Sequence, residues 1–343
     1  MKTARIVNLD LYRALAILFV LFFHTTQMFA GENVNADYYL WGKFGVEFFF
    51  VLSGFLVGGL FYKQADNVNL LKFWLLRFFR TYPPYIIALL LSYFAVYFSR
   101  AEQFNFGYLI FTQNFYTTIP YFKISWSLCI EEHFYLFFPF IILLSEKVLK
   151  KSFLQLGLWI MLCLLPTFFR WKFGSIHPEN FGYFETASYF RFEGIAMGCL
   201  LSFLIYRYNI NLNFSFLAKT SIYLFFILML FINVVFKNFT FTYTIGYLLL
   251  NVSLLLLLAV FYFGNNFILA GNLFVKTVAS MAYSLYLTHA LTINFMSIVA
   301  NKFKTNLFLM YSITFIVILI IGFIFYRLVE RPTIKARNYF LMR

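Results

Sequence analysis

Arg13 and His24 lie eleven residues apart in one apolar stretch, Leu9 to Phe29, and are the residues of this chain best placed to do chemistry. In a helix that spacing is close to three whole turns, so both side chains face the same way, about 16 Å apart along the axis. Either group is costly in lipid and is expected to face a protein interior or a wet cavity, where such groups serve a function. The arginine can hold an anion, and the imidazole, which titrates near neutrality, can take a proton. The plainer reading is an arginine that snorkels to the membrane surface and a histidine hydrogen-bonded between helices.

Other groups repeat the theme. In WSLCIEEHFY the carboxylates of Glu131 and Glu132 would point about 100° apart on a helix, so at most one faces a given site. A buried carboxylate near a histidine, here His133, orients the ring and raises its basicity, as a general base requires. Arg77 and Arg80 share a helix face and suit a phosphate, because each guanidinium offers a planar fork of donors. Ordinary positive-inside charge accounts for them equally. Glu47 is either interfacial or lines the same cavity as His24. Ser53 adjoins Gly54 and Gly58, a small-residue seam for close helix approach, without the strand-turn-helix setting of a nucleophilic serine elbow. Trp126, Arg191, Tyr283 and His289 complete the candidate lining. Trp126 reads also as an interfacial belt aromatic, and Arg191 with Glu193 as an ion pair of little energetic weight.

Elements that hold such groups must be membrane-embedded. Of 343 residues, 62% are hydrophobic and 12% charged, with 52 Phe and 25 Tyr, more apolar surface than a soluble domain hides. Apolar runs recur at 9–30, 43–62, 82–99, 126–145, 152–169, 189–206, 219–236, 243–263, 277–299 and 307–327. The expected fold is therefore an all-α integral membrane protein, a single bundle of about ten transmembrane helices. Eighteen of the 27 Lys and Arg fall on the side of the N-terminus and nine on the other, so both termini are expected to be cytoplasmic. The net charge of +14 is this bias plus attraction to anionic lipid headgroups in the bilayer. It is not a nucleic-acid signature, because the basic residues are split among short loops. Cys129, Cys163 and Cys199 have neither metal nor redox spacing and read as free buried thiols. The first span is too long for a signal-peptide core and has no small-x-small cleavage site, so it is expected to be retained. One domain over residues 1–343, with no appended soluble domain, is expected.

In chain order, Arg13-x10-His24, GVEFFFVLSGF from Gly45, Arg77-x-x-Arg80 ahead of Pro83 and Pro84, WSLCIEEHFY from Trp126, YSLYLTH from Tyr283 and ERP from Glu330 resemble the membrane acyltransferase-3 family. That family comprises O-acyltransferases that decorate bacterial surface polysaccharides. The six motifs follow in order over essentially the whole chain, which makes the likeness specific. The resemblance implies a multi-pass enzyme of the bacterial plasma membrane. It would take an acyl group, usually acetyl from cytoplasmic acetyl-CoA or another acyl-CoA, to a hydroxyl of a polysaccharide or lipid-linked sugar acceptor on the far side. It implies that Arg13 and His24 are essential, that Arg77 and Arg80 serve the donor, and that Glu131 is the family's matching carboxylate. Glu47 stands where aspartate is frequent, His133 where glutamine is frequent, and Thr288 where tryptophan is often seen. Some members carry a C-terminal hydrolase-like domain, which this sequence is expected to lack. No metal or resident cofactor is expected.

The residues and the resemblance together suggest one mechanism. A basic rim of Arg13, Arg77 and Arg80 holds the CoA phosphates, and the pantetheine arm extends up the bundle. His24 acts as general base or transient acyl carrier, while Glu131 orients it or steadies its imidazolium. A transporter or exporter with a buried charge relay stays open, though neither broken helices nor inverted repeats are visible. So does a non-catalytic partner in polysaccharide assembly.

Overall fold

The computed structural model describes residues 6–30, 44–63, 69–100, 103–116, 118–174, 181–235, 241–264, 267–303 and 306–341. Lys2, Arg5, Lys43, Lys237, Lys304 and Arg343 of the charge tally lie outside the described residues. Each expected span coincides with a helix, and among the described residues there is no strand. The elements are α1 Val7–Ala30, α2 Gly45–Lys63, α3 Leu70–Arg100, α4 Trp126–Val148, α5 Ser152–Gly174, α6 Phe181–Thr186 and α7 Glu193–Arg207. They continue with α8 Phe216–Val235, α9 Tyr247–Phe263, α10 Leu273–Ser280, α11 Ala282–Phe303, α12 Leu307–Phe325 and α13 Arg331–Leu341.

This is a polytopic membrane protein: eight stretches of helix among the described residues are long and apolar enough to cross a bilayer. Two of the expected spans fall short for plain reasons. The α7 helix has 15 residues. The α11 helix has 22 but carries Ser284, Thr288, His289, Thr292 and Asn294, which lower its hydropathy. The α7 helix and the first half of α11, with Ser284, Thr288, His289 and Thr292, are packed inside the bundle, where polar side chains find partners that lipid cannot offer. Large apolar residues such as Phe98, Leu224, Leu228, Phe295 and Ile320 face outward from α3, α8, α11 and α12, as lipid contact permits.

The most intimate packing joins α2 to α7 through facing glycines. A Cβ on Gly54 would lie 1.9 Å from the Ile195 carbonyl oxygen, and one on Gly198 would lie 2.0 Å from the Val51 carbonyl oxygen. Ser202 Oγ donates to the Phe55 carbonyl across the same seam. The small-residue reading of Gly54 and Gly58 is thus borne out, with α7 as the neighbour that approaches.

Proline ordinarily ends a helix, so Pro83 and Pro84 read in the sequence as the turn into the next span, yet α3 runs through both without a break. Membrane helices tolerate proline because neighbouring groups satisfy the freed backbone. The clearest case is Pro139 in α4, whose missing N–H leaves the Tyr135 carbonyl without its helical donor. Trp74 Nε1 of α3 donates to that carbonyl at 3.1 Å. This cross-link fixes α3 against α4 next to Arg77 and Arg80. Cys129, Cys163 and Cys199 are buried and unpaired, as expected.

Candidate functional site

Two polar centres lie along the bundle, one rich in arginine and one in histidine. The first is an inner chamber of about 240 Å³ between α1, α2, α3, α4 and α11. Arg13, Arg77, Arg80, Ser53, Glu131 and Tyr283 all line it, so six of the sequence candidates share one wall. Their gathering follows from local geometry. Arg77 and Arg80 share a face of α3 at spacing three. Arg77 stacks its guanidinium on the Tyr135 ring at 4.6 Å. Tyr283 reaches across from α11 and donates to the Thr81 carbonyl at 2.8 Å.

Glu131 accepts from Ser53 Oγ at 2.9 Å and from the Tyr135 hydroxyl at 3.3 Å. The carboxylate is therefore held by two hydroxyls while its negative charge faces Arg77 and Arg80. The sequence reading made Glu131 a partner for His24. The structure places it with the arginines instead, because α2 and α3 bring Ser53 and Arg77 to its side of α4. Glu132 is hydrogen-bonded to Thr81, which lines the chamber, but is not itself among the lining residues. His133 does not pair with either carboxylate; its Nδ1 meets Ser188 Oγ at 2.7 Å and its ring stacks on Phe115.

A second, more open chamber of about 300 Å³ adjoins the first and shares Arg13, Arg80, Ala279, Ser280 and Glu330 with it. Asp10, Tyr326 and Arg337 complete its polar wall. Asp10 faces Arg13 at 3.4 Å, one helical turn away. Glu330 accepts from Ser284 Oγ at 2.5 Å and sits at the end of a π-helical turn, Tyr326–Glu330. Together the chambers form a basic passage that leads into the bundle.

The histidine centre lies further along α1. His24 and His289 face each other with ring centroids 4.9 Å apart. His24 Nδ1 is 3.0 Å from the Val20 carbonyl, and His289 Nδ1 is 2.7 Å from the Tyr286 carbonyl. A carbonyl only accepts, so in each neutral ring Nδ1 carries the proton and Nε2 keeps its lone pair. His289 Nε2 is buried without a hydrogen-bond partner among the described residues. Two imidazoles so close carry one proton between them far more readily than two.

Tyr286 links the two centres, and sequence reasoning missed it. It lines the inner chamber, and its ring lies 5.6 Å from that of His289. Its hydroxyl donates to the Ile124 carbonyl at 2.8 Å and receives Ser127 Oγ at 2.5 Å. The signal was present: Tyr283, Tyr286 and His289 recur at spacing three and so share a face of α11. Ser127, Tyr135, Glu330 and Arg337 were likewise not proposed as site residues.

The remaining candidates form a separate buried network. Arg191 does not pair with Glu193, as expected from their proximity in sequence. It is ion-paired to Glu47, and its guanidinium is packed between Tyr247 at 4.3 Å and Trp126 at 5.2 Å. Glu193 binds Arg170 through both oxygens, at 2.6 and 2.8 Å, and accepts from Asn251. All four charged groups are at most 4% exposed, so neither pair is interfacial. Such paired charges tie α2, α5 and α7 together.

Comparison with known proteins agrees with the whole-chain pattern. A family model described as an acyltransferase domain matches residues 6–327. A Staphylococcus aureus (strain COL) protein provisionally named an O-acetyltransferase is 25% identical, over 98% of this chain and 59% of its own length. The O-acetyltransferase OatA of Staphylococcus aureus (strain NCTC 8325 / PS 47) is 25% identical, over 96% of this chain and 57% of its own length. The chain thus spans just under three fifths of the curated relatives it matches. No solved structure matches.

Proposed function

The chain belongs to the acyltransferase-3 family and is an acyltransferase of the membrane, and on that premise we propose that it moves an acetyl group from cytoplasmic acetyl-CoA to a hydroxyl of a surface polysaccharide or its lipid-linked precursor. The observation that carries this reading is the alignment of a basic passage with a histidine pair along one helix. Arg13 and His24 stand about 16 Å apart on one face of α1, and the two chambers open onto the arginine end.

In the proposed reaction the CoA phosphates rest on Arg13, Arg77 and Arg80, whose guanidiniums suit phosphate oxygens. Both termini and this end of the bundle are then cytoplasmic, and the membrane is the bacterial plasma membrane. The pantetheine arm runs through the inner chamber, past Tyr286, and brings the thioester to His24. The acceptor hydroxyl arrives from the opposite side. His24 Nε2 takes its proton as the oxygen attacks the thioester carbonyl carbon. The tetrahedral intermediate collapses with cleavage of the carbon–sulfur bond, and the imidazolium returns the proton to the departing thiolate. Ester, CoA thiol and neutral His24 result. The His289 ring lies 4.9 Å from that of His24, beside the imidazolium as it forms. Glu131, held by Ser53 and Tyr135, keeps the Tyr135 ring under Arg77 and so positions the donor rather than the acceptor.

The test uses membrane vesicles that contain the protein and acetyl-CoA labelled in the acetyl group. Base-labile label that reaches the glycan fraction is the expected result. Solute movement across the membrane without covalent label in any glycan would overturn the reading in favour of a transporter.

A further inference from the structure

The outer chamber holds more positive charge than a passage for an uncharged arm requires. Its wall carries three guanidiniums, from Arg13, Arg80 and Arg337, against the carboxylates of Asp10 and Glu330. Asp10 is paired with Arg13, and Glu330, which accepts from Ser284 Oγ, offsets Arg80 and Arg13 only in part, so the wall keeps one net positive charge. Among the described residues neither Arg80 nor Arg337 forms an ion pair, and the two lie within electrostatic reach of one another. Like charges gathered in excess of the acids beside them favour an anion there.

Arg337 comes from α13, which packs against α3 beside Arg80. Its Nε and Nη2 both reach the Asn338 side-chain oxygen, at 3.1 and 2.9 Å. Arg337 is half-buried and lines the chamber, so a doubly charged oxygen group can replace the single amide oxygen on its fork. Tyr326 adds an aromatic face to the same wall.

We propose that the outer chamber is a subsite for a ribose phosphomonoester, with Arg337 as its principal ligand, which lets the protein distinguish CoA from dephospho-CoA. This rests on the acyl-CoA reading above. CoA carries two separated anionic groups, a diphosphate in the middle and a 3′-phosphate at the nucleoside end. The two chambers share Arg13 and Arg80, with Arg77 lining only the inner one and Arg337 only the outer one. The diphosphate occupies that junction, the 3′-phosphate lies outside it on Arg337, and the adenine stacks on Tyr326.

The experiment measures binding of CoA and dephospho-CoA to the purified full chain in nanodiscs of zwitterionic lipid at one ionic strength, since such contacts are screened by salt. The native protein is expected to prefer CoA by about tenfold to a hundredfold, the effect of one charge-assisted contact to phosphate. Arg337→Ala should bring CoA affinity down toward that for dephospho-CoA, and Arg337→Lys should restore part of the difference. Dephospho-CoA binding in the variants doubles as the check on folding. Equal weakening of both ligands, or an unchanged preference for CoA, overturns the proposal. So does retention of an anionic lipid that depends on Arg337 while the CoA preference stays intact, which would make the ligand a headgroup. If the native protein binds neither nucleotide, the acyl-CoA reading itself fails.

Discussion

Replacing Arg80 by alanine should weaken acyl-CoA binding sharply while leaving the fold intact. Arg80 lines both chambers and so stands where the donor's diphosphate is placed. Among the described residues it forms no ion pair. Truncation takes positive charge away from the nearby Glu131 and Glu330 but breaks no direct ion pair, so the larger loss appears in binding rather than in stability. A charge-assisted hydrogen bond contributes about 1.5–3 kcal/mol, which corresponds to a Kd raised about 10- to 150-fold. Arg77 is the informative contrast, because it also packs on the rings of Tyr135 and Phe73. Arg77→Ala should weaken binding and lower the melting temperature together, whereas Arg80→Ala should lower affinity alone. Titration calorimetry with CoA and thermal unfolding in detergent read the two effects separately. An Arg80→Ala protein that binds CoA as tightly as the native one would refute the assignment of the basic passage to the donor.

Two further outcomes concern the scaffold. Gly54→Ala puts a methyl group into the Ile195 backbone, and such overpacking should cost about 1–3 kcal/mol or more. Gly157→Ala in α5 meets nothing within 4 Å and should stabilise by up to about 1 kcal/mol; thermal unfolding of the two variants should move in opposite directions. Arg170→Ala leaves the Glu193 carboxylate buried with only Asn251 for a partner. The expected loss is about 3–5 kcal/mol, seen as a collapse of folded, monodisperse protein, and an unchanged melting midpoint would show that the pair is dispensable.

Much of this architecture is legible in the amino-acid order. Hydropathy and length locate every long helix, because the bilayer imposes both on any spanning segment. The i, i+3 spacing of Arg77 and Arg80 and the i, i+4 spacing of Gly54 and Gly58 fix helix faces: the arginines line one chamber and the glycines meet α7. Partnerships across the chain are another matter. His24 meets His289, and Arg191 meets Glu47 in preference to Glu193 two residues away. Nothing local encodes such choices; they follow from how α2, α7 and α11 settle against α1 and α4. The same limit misplaced Glu131, whose depth along α4 said nothing of which neighbours would surround it. Pro83 and Pro84 misled for a related reason, since a proline that stops a soluble helix is accommodated where a neighbour serves the freed carbonyl.

The most direct test of the account compares acetyl transfer and CoA binding in His24→Ala protein. Purified native protein with labelled acetyl-CoA and the glycan acceptor is expected to form base-labile ester. The variant should retain CoA affinity, because Arg13, Arg77 and Arg80 are untouched, yet form no ester above background. A His24→Ala protein that folds, binds CoA and still acetylates the acceptor would contradict the account at its centre.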